Sequence, residues 1–230
     1  QAMKQKYRNW SKGTSTSPSG RHLGHKHALL CPCGLNPTSP EFEQLDSLCQ
    51  TIWRVHHGML NFGLRTGYCY SQWKTVVATP IKKDPGNPQI HQLRVIQLFK
   101  DCYNLLLGLT YCTALHRAKD SHTLNEGNYG SRPCGSSVDP IGLEMLQTEC
   151  SFLTRLSHPK FSNDATACFN RIVLALSSII SRSYSIPNKI TRIQADMLLN
   201  VVYHIKTLLG ISTCFYSHSN KSCVNGMGQG

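Results

Sequence analysis

Carboxylates are scarce in this chain, so each one can be weighed as a ligand or catalyst. Lysine and arginine number 24 and aspartate and glutamate 12, which gives a formal net charge of +12. Asp164 ends a short segment, residues 160–164, that predicts a strand running into a turn. A carboxylate there can hold a hard cation, because Mg²⁺ binds carboxylates together with substrate phosphates. An aspartate between a strand and a helix is also a common helix cap, so both interpretations stay open.

A second group with chemical potential consists of basic side chains around a turn. Lys82 and Lys83 precede the turn-rich residues 84–88, and Arg94 lies at the start of the next apolar segment. Toward phosphate, lysine acts as a point charge and arginine as a planar fork. Solvated lysines at a hairpin tip and a solubilising arginine on an edge strand are the alternatives. The excess positive charge favours a polyanionic partner, of which nucleic acid is the commonest.

One cluster of soft metal ligands is present near the N-terminus: His25, His27, Cys31 and Cys33. These residue types suit Zn²⁺, but Cys-x-Cys departs from the usual spacing of about two to four intervening residues, and no second pair follows. We therefore interpret residues 1–40 as a flexible basic arm that happens to contain the cluster. No segment is apolar enough to span a membrane, and no secretory signal follows the polar N-terminus. We expect an intracellular protein that is not secreted, with nucleus and cytoplasm both open.

Elements that would position these residues follow from the spacing of apolar side chains. Three- and four-residue spacing predicts helices over residues 41–61, 99–116, 139–156 and 167–181, and another from Thr191 to Leu209 that Gly210 stops. β-Branched residues predict strands over 73–81 and 92–98, joined by a Pro/Gly turn into a hairpin with lysines near its tip. The tail from Cys214 to Gly230 predicts no closing element. Strands interspersed with helices indicate an α/β fold.

Five segments stand in a characteristic order. Residues 73–84 contain Thr-Pro-Ile-Lys-Lys-Asp, residues 93–98 read Leu-Arg-Val-Ile-Gln-Leu, and residues 125–133 read Asn-Glu-Gly-Asn-Tyr-Gly-Ser-Arg-Pro. Residues 161–169 fit Asp-x₄-Phe, and residues 228–230 read Gly-Gln-Gly. Together they resemble the reverse transcriptase family, particularly polymerases of retroelements without long terminal repeats and of group II introns. The segments correspond to its first two motifs, its Gln-x-Gly-Phe-Arg-Pro segment, motif A of the palm and the start of motif B.

The resemblance spans about residues 73–230 and implies an architecture. This is the fingers and part of the palm of a right-hand polymerase, an α/β arrangement of hairpins and helices without a thumb. The predicted organisation is an arm over residues 1–40, a helical lead-in over 41–72, a fingers-like region over 73–158 and a partial palm over 159–230.

Roles also follow from the resemblance, residue by residue. Asp164 would be the catalytic carboxylate that binds two Mg²⁺ ions, with the backbone carbonyl of Ala165 as a further ligand. One of Lys82 and Lys83, together with Arg94, would reach the triphosphate of the incoming nucleotide.

Further roles concern nucleotide choice and the template. Phe169 would exclude a ribose 2′-hydroxyl and so favour dNTPs. Gln229 would lie against the nascent base pair, where Gly230 lets the backbone approach closely, and Arg132 would face the template.

The chain also departs from the family pattern. Asn170 stands where a second aspartate is common, and no Asp-Asp pair occurs anywhere; Asp196 is the last acid. Reverse transcriptases place two adjacent aspartates after motif B. We therefore expect RNA-directed DNA synthesis in the intact protein, with RNA template, DNA primer and dNTP as partners, and inactivity of this chain alone. The alternatives are a non-catalytic basic module that binds nucleic acid and a structural protein that does not.

Overall fold

The computed structural model describes residues 2–11, 13, 23–30, 38–82, 85–86, 89, 93–125, 127, 129, 135–136, 138–157, 159 and 172–217. Within them the chain is a mixed α/β fold of helices and one four-stranded sheet. In chain order the elements are α1 (Ala2–Asn9), α2 (Gly24–Ala28), α3 (Pro40–Thr66), a 3₁₀ turn (Ser71–Trp73), β1 (Thr75–Lys82), β2 (Leu93–Leu98), α4 (Asp101–Asp120), α5 (Val138–Thr154), α6 (Leu174–Ser183), α7 (Asn188–Leu199), β3 (Val202–Thr207) and β4 (Gly210–Ser217).

Two compact units make up the chain. The first comprises residues 1–109 and 169–230, and the second comprises residues 110–168. The whole sheet and α3 belong to the first unit, whereas α5 belongs to the second. The boundaries expected at residues 40, 72 and 158 stay a prediction.

The sheet has the strand order β2-β1-β3-β4. Strand β1 pairs antiparallel with β2 and parallel with β3, and β3 and β4 form an antiparallel hairpin. The central strand is the most deeply covered, since Val76, Val77 and Ala78 are all buried. Its pairing with β3 covers only Thr75–Ala78, so Pro80 lies where β1 has a partner on one side. A proline fits such a half-open position because it has no backbone N–H to donate.

The helix predicted from Thr191 to Leu209 is confirmed as far as Leu199, whereas strands β3 and β4 overturn the rest of it. Helix α7 ends at Leu199, and the backbone N–H of Val202 donates to the carbonyl of Lys74 (2.7 Å), which begins the parallel pairing with β1. Gly210, expected to stop a helix, instead opens β4 with a φ of 133°. The expectation that nothing closes the chain from Cys214 onward is wrong for residues 214–217, which lie in β4.

Most other predicted elements are confirmed, with longer or shifted ends. This holds for α3, α4, α5 and the β1–β2 hairpin. The helix predicted over 167–181 begins at Leu174, after Val173 in an extended conformation; residues 167–171 and the strand predicted over 160–164 lie outside the described residues. No helix in the described part of the chain is long and apolar enough to cross a membrane.

Two helices stand where a flexible arm was expected. Tyr7 in α1 is fully buried, and Leu23, just before α2, is 1% exposed. The indole N–H of Trp53 in α3 donates to the carbonyl of Leu29 (2.9 Å), which fastens this segment to the long helix. The arm interpretation is therefore wrong for α1 and α2. Of the candidate zinc ligands, His25 and His27 lie in α2 and Cys31 and Cys33 lie outside the described residues.

Helix α3 has defined ends. The Ser39 hydroxyl accepts the backbone N–H of Phe42 (3.2 Å), and Pro40 occupies the first turn, where its missing N–H costs nothing. Gly67 ends the helix with a φ of 76°, the left-handed conformation that glycine adopts without strain. Cys49, Trp53 and other residues on one side of the helix are buried.

Candidate functional site

The β1–β2 hairpin carries the two predicted phosphate-binding residues that the structure describes. Its ladder runs from Val77 opposite Leu98 to Lys82 opposite Leu93. Lys82 and Arg94 are both exposed at the loop end of the hairpin. Within the described residues neither side chain forms an ion pair.

Register places these two side chains on opposite faces of the sheet. Arg94 lies opposite Ile81, and residues directly opposite each other in an antiparallel pair share a face. Lys82 is the next residue after Ile81, and successive residues in a strand point to opposite faces. The hairpin therefore brings Lys82 and Arg94 close along the chain but does not aim them at one point.

The face of the sheet that carries Arg94 has further basic and aromatic side chains on β3 and β4. Val77 shares this face with Arg94 and lies beside His204 of β3, which in turn lies opposite Phe215 of β4. Val77 itself is buried and separates Arg94 from these side chains. Lys206, two residues after His204, points the same way. The imidazole Nδ1 of His204 is within 3.0 Å of the carbonyl of Ser212, and its ring lies 6.1 Å from that of Phe215.

Sequence reasoning did not single out His204, Lys206 or Phe215. For His204 and Lys206 the available signal was their alternation within residues 202–207. A helix was predicted through these residues, and on a helix the two side chains would not share a face. The remaining predicted site residues lie outside the described residues: Lys83, Arg132, Asp164, Ala165, Phe169, Gln229 and Gly230. The prediction of Mg²⁺ at Asp164 and Ala165 thus stays a prediction. In the described ranges, no three His, Cys, Asp or Glu side chains gather as metal ligands.

Asp196, the last acid of the chain, has a structural role. Its Oδ1 accepts a hydrogen bond from the Lys74 ammonium (3.0 Å) and another from the Asn200 side-chain amide (2.7 Å). Lys74 directly precedes β1, and Asn200 is the C-cap residue directly after α7. The carboxylate therefore holds the end of α7 against the start of the central strand.

A second polar cluster, which no local sequence pattern predicts, is buried in the first unit. The Tyr7 hydroxyl donates to Oδ2 of Asp101 (3.0 Å) and lies 3.2 Å from Nε2 of His56. The Lys26 ammonium lies 3.9 Å from the same carboxylate oxygen. Because the Tyr7 proton is given to Asp101, we assign the proton on His56 to Nε2, which then donates to the Tyr7 oxygen.

The electrostatics of this cluster follow from its burial. Burial, and then the Asp101 charge, raises the pKa of Tyr7 far above its usual value, so the phenol stays protonated. Burial, and then the Lys26 charge, lowers the pKa of His56 to about 4, so the imidazole is neutral at physiological pH. Tyr7 is fully buried and Asp101 is 4% exposed, which leaves no access for a substrate. The cluster therefore docks α1 and α2 onto α3 and α4 rather than performing chemistry.

Comparison with known proteins assigns no family: no protein-family model matches the chain, and no curated protein is significantly similar to it.

Proposed function

We propose that this chain is part of a reverse transcriptase, an RNA-directed DNA polymerase of the retroelement type. The observation that carries the proposal is the ordered set of five segments over residues 73–84, 93–98, 125–133, 161–169 and 228–230. Each segment is loose alone, but their order and spacing agree with one family.

The hairpin formed by β1 and β2 supports the proposal. The first two segments would have to form paired strands with basic side chains near the loop, and Lys82 and Arg94 lie there, exposed and without an ion pair among the described residues. The β3–β4 hairpin, which precedes Gly228 in the sequence, joins the same sheet because β3 pairs with β1. The nucleotide-binding hairpin and the segment before motif B would thus share one scaffold.

The register of the hairpin supports a choice between the two lysines. Because Lys82 lies on the face opposite Arg94, we assign triphosphate binding to Arg94 and Lys83 and leave Lys82 out. Arg94 would hold phosphate oxygens as a planar fork and Lys83 as a point charge.

The remaining roles rest on the resemblance. Asp164 would hold Mg²⁺ together with the Ala165 carbonyl, hard oxygen donors that suit this ion, which supplies charge that aligns the attacking 3′-oxygen with the pyrophosphate leaving group. Phe169 would exclude the ribose 2′-hydroxyl, Gln229 and Gly230 would contact the nascent base pair, and Arg132 would face the RNA template.

A second candidate is a non-catalytic module that binds nucleic acid. The basic and aromatic side chains on one face of the sheet (Arg94, His204, Lys206 and Phe215) favour it, because positive and aromatic side chains on one sheet face are typical of nucleic-acid-binding sheets. This candidate needs no metal and no Asp-Asp pair.

Primer extension on poly(rA)·oligo(dT) with Mg²⁺ or Mn²⁺ separates the two. The assay is run on the 230-residue chain and on any longer product of the same reading frame that carries an Asp-Asp pair after Gly230. We expect dTTP incorporation by the longer product, loss of it in Asp164→Ala, and none by the shorter chain. Lys83→Ala and Arg94→Ala should lower incorporation at least about tenfold, whereas the matched control Lys82→Ala should retain it.

Three results would count against this assignment. A longer product that binds the hybrid without incorporating dTTP would favour the non-catalytic module. Equal losses in Lys82→Ala and Lys83→Ala would contradict the choice of lysine. Incorporation by the 230-residue chain, abolished by Asp164→Ala, would contradict its inactivity alone.

A further inference from the structure

Helix α3 carries a second apolar face that stays exposed among the described residues of its unit. Its members are 37–60% exposed, in contrast to the buried Cys49, Trp53 and Leu60 of the neighbouring face. We call this face the α3 seam; it consists of Leu45, Leu48, Ile52, Val55, Met59 and Phe62.

The spacing of the seam is that of a coiled coil. Successive members are three and four residues apart in strict alternation, which are the a and d positions of a heptad repeat. The a positions (Leu45, Ile52 and Met59) are 37–38% exposed and the d positions (Leu48, Val55 and Phe62) are 51–60% exposed. The difference arises because the a positions border the buried face. The helix thus has a wide apolar arc, of which one half packs on its own unit and the other half fits a second helix.

Small and aromatic residues extend the seam. Nothing lies within 4 Å of the place where a Cβ on Gly58 would be, so a second helix can come close there. At the C-terminal end, the ring of Phe62 lies 6.0 Å from that of Tyr68, which is 52% exposed and enlarges the apolar surface.

The charges on α3 indicate which partner binds the α3 seam. Glu41, Glu43 and Asp46 lie in its first half, and Arg54 and Arg65 lie in its second half. A second copy of the helix running antiparallel brings Arg65 against the acidic first half of α3, whereas a parallel copy brings Arg65 against Arg65. Arg54 lies near the middle of the helix, so it lies close to its own counterpart in either orientation and does not decide between them.

We propose that the α3 seam forms an antiparallel homodimer. Pairing Leu45 with Phe62, Leu48 with Met59 and Ile52 with Val55 of the second copy matches every a position with a d position. This register obeys two-fold symmetry, so one surface serves both copies. It also brings Arg65 of one copy close to Glu41 of the other. The inference is independent of the polymerase proposal, since it uses no residue assigned to nucleotide or metal.

Sedimentation equilibrium of the 230-residue chain over a range of concentrations tests the proposal. We expect a monomer–dimer equilibrium, and Val55→Glu or Leu48→Glu should raise the dimer dissociation constant by about tenfold or more, because a charge would enter the apolar seam. The matched control is Ile179→Glu on α6, a residue 60% exposed like Val55, which should leave the equilibrium unchanged. Circular dichroism verifies that each variant keeps its helix content.

A separate experiment tests whether the two copies of α3 run antiparallel or parallel. Arg65→Glu should weaken an antiparallel dimer by placing like charges together, and adding Glu41→Arg should restore it. In a parallel dimer Arg65→Glu would exchange one pair of like charges for another, so association would change little and Glu41→Arg would restore nothing. A chain that stays monomeric at all concentrations, a dimer insensitive to Val55→Glu and Leu48→Glu, or a dimer that Arg65→Glu does not weaken would overturn the proposal.

Discussion

At the scale of single residues, Asp101 organises much of the packing around the N-terminus. It is a buried carboxylate at the first position of α4, where the positive end of the helix dipole stabilises negative charge. Tyr7 donates to it, and Lys26 lies beside it. Removing either partner would leave the charge less compensated, which is costly for a buried group. One side chain thereby ties α1 and α2 to α4.

His56 makes the stability of this cluster depend on pH. Burial, and then the Lys26 charge, lowers its pKa from 6.5 to about 4. Between these two values the unfolded chain takes up a proton that the folded chain does not, so the free energy of unfolding falls as the pH drops. We expect His56 to account for about 2 kcal/mol of that fall, after discounting for its partial exposure. Urea denaturation at about pH 4.5 and at about pH 7.5 measures this fall in the free energy of unfolding.

The variant His56→Gln separates this contribution from other titrations. Glutamine keeps an N–H donor for the Tyr7 oxygen but does not titrate, so the fall in stability should shrink. The exposed neighbour provides the control. The His57 charge is the smallest contribution to the lowered pKa of His56, so His57→Gln should keep most of the fall. An unchanged pH dependence in His56→Gln would mean that other groups cause it.

At the scale of elements, the start of α3 depends on one hydroxyl. Ser39 is the N-cap, and its side chain accepts the backbone N–H of Phe42. Ser39→Ala should lower the free energy of unfolding by about 1 kcal/mol, since that N–H loses its protein partner. Denaturant titration at fixed protein concentration measures the change.

Ser39→Asp is the matched comparison, because aspartate also accepts the hydrogen bond and adds favourable charge at a helix N-terminus. It should equal or exceed the wild-type stability. A loss in Ser39→Asp as large as that in Ser39→Ala would show that the hydroxyl acts through some contact other than the cap.

Elements differed in how far the sequence could predict them. Helix α3 and the β1–β2 hairpin follow from local spacing, so their existence was predicted correctly. Residues 202–207 were predicted as helix because apolar side chains continue past Leu199, yet pairing with β1, a contact distant in sequence, decides their strand conformation. Tyr7 was likewise placed in a flexible arm because its partner Asp101 is far along the chain.

At the candidate site, too, local spacing predicted the element but not the placement of its side chains. Alternating β-branched residues predicted the hairpin that holds Lys82 and Arg94. Their placement on opposite faces follows only from the ladder register, in which Arg94 lies opposite Ile81. A shift by one residue would have put both side chains on one face.

At the scale of the whole molecule, a net charge of +12 allows two kinds of nucleic-acid binding. If nucleic acid is attracted by the net charge as a whole, every exposed basic residue contributes about equally to the affinity. If binding is localised, residues on the Arg94 face of the sheet contribute more than residues elsewhere. The dependence of affinity on salt distinguishes these cases, because it counts the phosphates that are neutralised.

We expect localised binding of an RNA·DNA hybrid by the 230-residue chain. Arg94→Ala and Lys206→Ala should each reduce the slope of log affinity against log salt by about 0.7 to 0.9, the value for one lost phosphate contact. Arg54→Ala is the control, since it removes the same charge from an exposed position on α3. Fluorescence anisotropy between about 50 and about 300 mM NaCl provides the slopes. Equal reductions in all three variants would favour attraction by the net charge as a whole. An affinity that does not depend on salt would contradict a nucleic-acid role for this chain.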